Sequence, residues 1–573
     1  MSTDRSFVPP GEPQPLLPTA HQPRTGVFIC ECGGKISSIL DVDELTRAAA
    51  NRPEVDFAEH APFWCSQAGR DRMQEAVRGK RLDRVVVAGC SARTHRKMFR
   101  DATRGAGMNP ELLGMVNIRE GCAWPHRAAP EKANGRARDQ IAMEVAHIDA
   151  LTPGVPVEAR INPAALVIGG GVAGMTAALE LADGDIPVTL LERSASLGGS
   201  PSEAAGDITA ELIAAVEAHP GVRVQLDASV TAMDGSVGGY RVSFGSGDGA
   251  EWMTAGPFGA VVVATGAPDE DTDRLATLLR LPRDTRGHLS ELRVRLRPVR
   301  YLERGIYVCG GVHHPCDPAM AQFQAFSAAS RALRHLRTGS RTLTGPRAQV
   351  DAERCTGCND CARSCPFFAI TMLERPLPAR GYGSTPNGAV SLASIDPLLC
   401  TGCGNCVSVC PVDAASLSGW SDAQLSAQMQ VALDGGTAPR ILVLACEWSG
   451  HAAAELAGAE MRSYPAEVRM VRLDCSGRLE SGLIFDAFEM GADGVLVLGC
   501  APRLCHYERG NERATAAFLQ AEELTRLMGV DSRRLRLAWA PPDDGEAFAE
   551  LVTEFAEGAL AATREEATAV AVT

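Results

Sequence analysis

The chain is 573 residues long, 45% hydrophobic and 22% charged, with a formal net charge of −14. That length suits roughly four domains of ~150 residues, and the acidic balance argues against nucleic acid or an anionic membrane surface as the main partner. No apolar run approaches the ~20 residues of a membrane helix, and 19 cysteines behind an N-terminus without a signal-like apolar stretch suggest metal or redox chemistry in the cytoplasm, not a disulfide framework.

Residues 1–25 are Pro-rich and predict a disordered arm. Residues 26–150 predict an α/β domain in which "GVFICECGG", "VDFAEHAPFWC", "RVVVAGCSARTH" and "LGMVNIREGC" place Cys30, Cys32, Cys65, Cys90 and Cys122 at strand ends. Such ends line one crevice of an open parallel sheet, where ligands bind. A thiolate-held cluster is expected there, and the spacing leaves open which four of the five cysteines ligate.

Residues 160–340 read as a Rossmann-like domain. A strand at 165–168 runs into Gly169, Gly171 and Gly174, a helix opens, and a second strand ends at Glu192. These glycines let backbone approach a pyrophosphate at the helix N-terminus, and the acid can accept from a ribose hydroxyl. "LERSASLGG" resembles flavoproteins with two dinucleotide sites and favours FAD. "GAVVVATGAPD" supplies Thr265 and Gly266 at the end of a buried strand. "RGIYVCGGVHHPCDPAM" supplies Gly310 and Asp317, then a helix near Pro318 whose N-terminus would favour the anionic charge of reduced flavin. Cys309 and Cys316 are expected to be ordinary packing. About 40 residues separate Thr265 from Gly305, short of the ~100 that a second nucleotide domain needs. No NAD(P)H domain is expected.

Residues 346–420 carry "CTGCNDCARSCP" and "CTGCGNCVSVCP", with cysteines at 355, 358, 361 and 365 and at 400, 403, 406 and 410. This is the bacterial two-cluster ferredoxin spacing, in which the fourth cysteine of each run serves the other cluster. Cys355, Cys358, Cys361 and Cys410 should hold one 4Fe–4S cluster; Cys400, Cys403, Cys406 and Cys365 should hold the other. Zinc sites rarely repeat this pattern with a proline after each last cysteine. In residues 438–560, Cys446, Cys475 and Cys500 each end an apolar strand and Cys505 follows, which suits a cluster at the rim of a parallel sheet. The fold class is therefore multidomain α/β. It comprises an N-terminal α/β iron–sulfur domain, a Rossmann-like FAD domain, an α+β two-cluster ferredoxin domain and a C-terminal flavodoxin-like parallel α/β iron–sulfur domain.

With "FICECGGKIS", "VVVAGCSARTH" and "NIREGCAWPH", residues 26–150 resemble the N-terminal domain of HdrA, the flavin-bearing subunit of heterodisulfide reductase, and residues 160–420 resemble the flavin and ferredoxin parts of HdrA. With "MVRLDCSGRL", "FEMGADGVLVLGC" and "CHYERGN", residues 438–560 resemble the small iron–sulfur subunit of methyl-viologen-reducing hydrogenases. The resemblance implies a 4Fe–4S cluster in the N-terminal domain and a 2Fe–2S cluster in the C-terminal one. Ser449, in "CEWS", stands where the hydrogenase subunit has a further cysteine, leaving Cys446, Cys475, Cys500 and Cys505 as ligands. Implied partners are heterodisulfide reductase B/C-like subunits, a hydrogenase or a formate or other dehydrogenase, and ferredoxin, with flavin-based bifurcation as an option. The expected function is an electron relay. Its rivals are a self-contained flavin oxidoreductase, for which His313 and His314 are the acid/base candidates, and a non-catalytic cluster scaffold. A segment of residues 436–573 is expected to fold by itself.

Overall fold

The computed structural model describes residues 23–572 except 155, 200–205, 246–252, 280, 282, 284–285, 290–299, 302–304, 344, 377–388, 435–438 and 503. The expected N-terminal arm lies, up to residue 22, outside the described residues. By packing, the chain divides into two compact units. One gathers Met1–Gly154, Gly345–Ile395 and Cys400–Thr573; the other holds Val155–Thr344 with Asp396–Leu399.

The first unit contains two parallel sheets of the same topology. The N-terminal sheet is built from Thr25–Cys30, Phe57–Ala61, Arg84–Gly89 and Leu113–Asn117, and the C-terminal sheet from Ile441–Cys446, Val468–Leu473, Gly494–Gly499 and Leu535–Trp539. In each, the spatial order is second, first, third, fourth strand, with Gly26 opposite Phe57 and Val85, and Ile441 opposite Val468 and Gly494. The central strands are continuous buried runs, Val27–Ile29 and Val85–Ala88 in one sheet and Ile441–Ala445 and Val495–Leu498 in the other. Such runs suit sheets covered on both faces. Helices return the chain each time, and their starts are written locally: Asp41, Ser66 and Ser91 accept from backbone N–H groups of the first turns that follow.

Between these segments lies the ferredoxin part, with two antiparallel pairs: Ala348–Val350 with Ala415–Leu417, and Ile370–Pro376 with Ala389–Ile395. Its core is not its own. Met143 of the N-terminal segment, Leu417, Trp420 and Leu425, and Leu442, Leu473 and Phe518 of the C-terminal segment share one apolar cluster. Polar ties cross the same seams. Arg469 pairs with Asp139 at 2.6 Å, Arg136 donates to Val468 O, Arg93 pairs with Glu455 at 2.9 Å, and His147 stacks on Trp420 at 4.8 Å. This packing bears on the expectation that residues 436–573 fold by themselves: one face of the C-terminal sheet packs on its own helices Ser481–Glu489 and Gly510–Leu527 and also on residues from outside that segment.

The second unit has a six-stranded sheet in the order Arg300–Tyr301, Ile306–Val308, Ala260–Val263, Ala165–Ile168, Val188–Leu191, Val222–Gln225, parallel except for the first pairing. Helices Val172–Asp183 and Pro318–Leu336 share its larger apolar cluster, and a three-stranded antiparallel sheet spans Ser229–Phe258. Between Val263 and Ile306 the described residues hold the helix Glu270–Leu279 and the short strand Arg300–Tyr301, and no second nucleotide sheet. Among the described residues, no helix is long and apolar enough to cross a membrane.

Candidate functional site

The second unit carries a cavity of about 840 Å³ at the C-terminal ends of its central strands. Gly169, Gly171, Glu192, Thr265, Gly266, Gly310 and Asp317 all line it. Gly169 has φ +110°, and a Cβ there would lie 2.5 Å from Ala264 O. Gly171 is the N-cap of Val172–Asp183. Gly174 sits one turn further on, and a side chain there would run into Gly169 O. The strand-to-helix turn thus stays bare, leaving the N–H groups at the start of the helix for an anion. Glu192 is buried; its Oε2 accepts from Gly170 N at 2.6 Å and its Oε1 from Ser194 N at 2.8 Å. Each carboxylate oxygen keeps acceptor capacity for a hydroxyl. Thr265 Oγ1 is buried without a hydrogen-bond partner, and beside Gly266 there is open space. Asp317 caps Pro318–Leu336, accepting from Met320 N at 2.7 Å. The cradle fits a dinucleotide with its pyrophosphate on the glycine turn. His313 and His314 are not among the lining residues. His314 Nδ1 lies 2.9 Å from Pro315 O and its Nε2 lies 3.0 Å from Gln324.

In the first unit the thiols fall into groups of four. At the N-terminal rim, burial pushes up Cys30, where the charges of Cys32 and Cys65 add to the effect. Cys90 is pushed to about 12 by burial, with Arg119 opposing and Glu120, Cys32 and Cys30 adding. Arg119 donates to Cys32 Sγ at 3.0 Å. Cys122 stands apart. It is fully buried in a π-helical turn, Arg119–Ala123, and its charged neighbours are Arg136, Arg469 and Asp139. Among the five candidates, Cys30 feels the charges of Cys32 and Cys65, and Cys90 those of Cys32 and Cys30, whereas no cysteine is among the main charged neighbours of Cys122.

The ferredoxin thiols group crosswise. Cys361 is pushed to about 11 by burial and by Cys355, Cys358 and Cys410. Cys403 is pushed to about 12 by burial and by Cys400 and Cys365, and Cys406 is raised by burial, by Cys403, Cys400 and Cys365, and last by Cys361 of the other group. Backbone amides point at the sulfurs: Ala369 N at Cys365 (3.4 Å), Ala414 N at Cys410 (3.2 Å) and Ala348 N at Cys400 (3.4 Å). Such bonds tune cluster potentials.

At the C-terminal rim Cys446 Sγ lies 3.8 Å from Cys500 Sγ. Thiol contacts continue from Cys500 to Cys505 and from Cys505 to Cys475, so that Cys446 and Cys505 are pulled down and Cys500 and Cys475 pushed up. Gly510 N and Gly477 N donate to Cys505 and Cys475 at 3.2 and 3.3 Å, and a Cβ at Gly510 would strike Cys475 Sγ. Ser449 turns away: its buried Oγ lies 2.6 Å from both Gly499 O and Ala540 O. Among the described residues no His, Cys, Asp or Glu group is gathered around a single-ion position. The all-sulfur donor sets and the bare glycine walls fit iron–sulfur groups, which bind cysteine sulfur as thiolate.

Sequence reading missed Arg119 on Cys32, the fully buried Arg478, and the aromatic pair Phe367 and Tyr507. Both aromatic residues sit two positions after a cysteine, which is the signal that could have found them.

Three families match. Residues 441–560 match the delta subunit of methyl-viologen-reducing hydrogenase, residues 354–414 a 4Fe–4S dicluster domain, and residues 131–332 pyridine nucleotide-disulphide oxidoreductases. The HdrA-type subunit of the ferredoxin:CoB-CoM heterodisulfide reductase of Methanosarcina mazei is 24% identical over 780 aligned residues, covering 93% of this chain and 96% of that one. The aligned span exceeds this chain's 573 residues, so that relative carries insertions absent here. The first of two such iron-sulfur subunits of the CoB–CoM heterodisulfide reductase of Methanopyrus kandleri is 37% identical over 229 residues, 38% of this chain and 34% of that one. The corresponding subunit of the H(2):CoB-CoM heterodisulfide,ferredoxin reductase of Methanothermobacter marburgensis is 34% identical over 233 residues, 39% of this chain and 35% of that one.

Proposed function

The chain is a relative of the HdrA subunits of heterodisulfide reductases that carries a hydrogenase delta-subunit domain, and from that premise we propose that it is the electron-transfer subunit of a heterodisulfide-reductase-like complex. Its redox groups would be one FAD, two 4Fe–4S clusters in the ferredoxin part, a 4Fe–4S cluster on Cys30, Cys32, Cys65 and Cys90, and a 2Fe–2S cluster on Cys446, Cys475, Cys500 and Cys505. The observation that carries this reading is the gathering of four all-thiol groups in one packed unit of a chain that also forms a dinucleotide cavity. Bound FAD supplies exchange between two-electron and one-electron steps, and the clusters supply one-electron steps.

The residues do the positioning. Gly169, Gly171 and Gly174 keep the pyrophosphate turn open, Glu192 and Thr265 offer polar atoms to ribose and flavin, and the helix headed by Asp317 directs its N-terminus at developing negative charge. Arg119 and the N–H groups of Ala348, Ala369, Ala414, Gly477 and Gly510 stabilise charge on the sulfurs they face. A hydrogenase or a formate or other dehydrogenase would deliver electrons at the C-terminal domain, and heterodisulfide reductase B/C-like subunits or ferredoxin would receive them, in the cytoplasm. The self-contained oxidoreductase is less favoured, because neither candidate histidine lines the cavity. The test is anaerobic purification of the full chain. About one FAD per chain, separate 4Fe–4S and 2Fe–2S signals on reduction, and no bleaching by NADH or NADPH at enzyme rates are expected. Rapid bleaching by either nucleotide would overturn the relay.

A further inference from the structure

The C-terminal thiol group does not merely share a unit with the ferredoxin part; it abuts one of the two ferredoxin groups. Phe367 follows Cys365 by two residues, and Tyr507 follows Cys505 by two. Their rings meet edge to face, with centroids 6.2 Å apart and planes at 89°. Phe367 (4% exposed) and Tyr507 (7% exposed) form one small apolar cluster with Cys403 and Cys475, against which Cys365, Cys505 and Trp448 pack. Trp448 closes the outer side, edge to face with Tyr507 at 6.2 Å and stacked on His506 at 3.6 Å.

The backbone seals the same junction. Ser408 Oγ donates to Gly477 O at 2.8 Å, and a Cβ at Gly477 would strike Asn405 Oδ1. The loop after Cys475 therefore lies directly on the loop between Cys403 and Cys406. Cys475 feels the charge of Cys403, and Tyr507 that of both. No cysteine of the other ferredoxin group belongs to that apolar cluster, and its Cys358 is exposed.

We propose that Phe367 and Tyr507 form a dry aromatic partition through which the C-terminal group exchanges electrons directly with the ferredoxin group held by Cys365, Cys400, Cys403 and Cys406. The group of Cys355, Cys358, Cys361 and Cys410 then stands next in line, at the solvent-facing end. In each transfer one electron leaves the C-terminal group and one is gained by its neighbour, with no bond formed or broken. Two things follow from the wall. Transfer falls off steeply with distance, so the abutting pair equilibrates before any longer jump. Excluding water also keeps soluble oxidants from the C-terminal group. This inference rests on the relay reading above and adds the order of the groups.

The test is electron paramagnetic resonance of the full cofactor-loaded chain during stepwise reduction. The C-terminal signal should broaden and relax faster once its neighbour is reduced. Cys400→Ala, which dismantles the neighbour, should return the narrow, slowly relaxing signal, whereas Cys355→Ala should leave the broadening in place. In Tyr507→Leu the reduced C-terminal group should be oxidised by ferricyanide several-fold faster, while Tyr507→Phe, which keeps the ring, should behave as wild type. If Tyr507→Leu loses its iron, Phe367→Leu removes the partition from the ferredoxin side and serves the same comparison. A C-terminal signal present but unbroadened, or broadened only through the Cys355 group, overturns this proposal and leaves the relay standing. Absence of any C-terminal signal in the wild type overturns both.

Discussion

Arg478→Met tests the seam between the C-terminal domain and the ferredoxin part. Arg478 is fully buried. Its guanidinium pairs with Asp422, pairs with Glu480 at 2.6 Å and donates to Trp420 O at 3.2 Å. Its stem lies on Gly404, where a Cβ would come within 2.8 Å of Arg478 Cδ. Methionine keeps most of that stem and removes the charge. Breaking a buried pair costs about 3–5 kcal/mol. Asp422 has a side chain 58% exposed and rehydrates when released, so the low end applies, about 3 kcal/mol.

Glu480 gives the loss a pH signature. Burial pushes its carboxyl up to about 6, with Arg478 opposing the rise and Asp422 and Asp413 adding to it. A carboxyl raised in the folded state contributes stability that is full below its ordinary 4.5 and is lost as pH rises through about 6. Without Arg478 the carboxyl rises further. Above pH 6 the variant must either bury an unpaired carboxylate or bind a proton, and at lower pH the group is already largely neutral. Urea unfolding of the loaded full-length chain, followed by tryptophan fluorescence, should show a larger penalty near pH 8 than near pH 5. A penalty below about 1 kcal/mol near pH 8, or one of equal size at both values, would refute this account of the seam.

Cys365→Ala should disable the cluster of Cys400, Cys403 and Cys406 and spare the one that includes the other cysteines of its own run, as read by paramagnetic signals against single-run variants. Cys475→Ala should abolish the C-terminal signal. Ser449→Ala should keep that signal while costing about 1–2 kcal/mol in urea unfolding, because two buried carbonyls lose the hydroxyl between them. Cys122→Ala should leave the iron content unchanged, whereas Ala at Cys30, Cys32, Cys65 or Cys90 should lower it; equal loss from Cys122→Ala would reverse the assignment. Gly174→Val should yield protein without FAD by absorbance, since the new side chain would occupy the position of Gly169 O.

What was legible in the sequence is what short-range spacing controls. A Cys-x-x-Cys-x-x-Cys run wraps its group within a few residues. A glycine-rich turn between a strand and a helix is likewise set by local backbone freedom, as Gly169 with φ +110° illustrates. Strand-end cysteines were legible too, because a continuous apolar run ending in Cys500 or Cys90 has one direction and one rim. Whether a rim thiol faces the crevice or the core was not. Cys122 lies past the end of its strand, as the other four lie at or past the ends of theirs, yet the π-helical turn that follows its strand carries it into the core beside Arg136. Domain independence was also beyond local pattern. The central C-terminal strands, Ile441–Cys446 and Gly494–Gly499, are apolar on both faces, which says they are covered but not by what; only the fold shows Met143 and Trp420 in the cluster that covers Leu442 and Leu473. The contact between Tyr507 and Phe367 joins residues 140 positions apart. Such a contact depends on how two surfaces dock, a sum of many weak long-range interactions that no short stretch of sequence encodes.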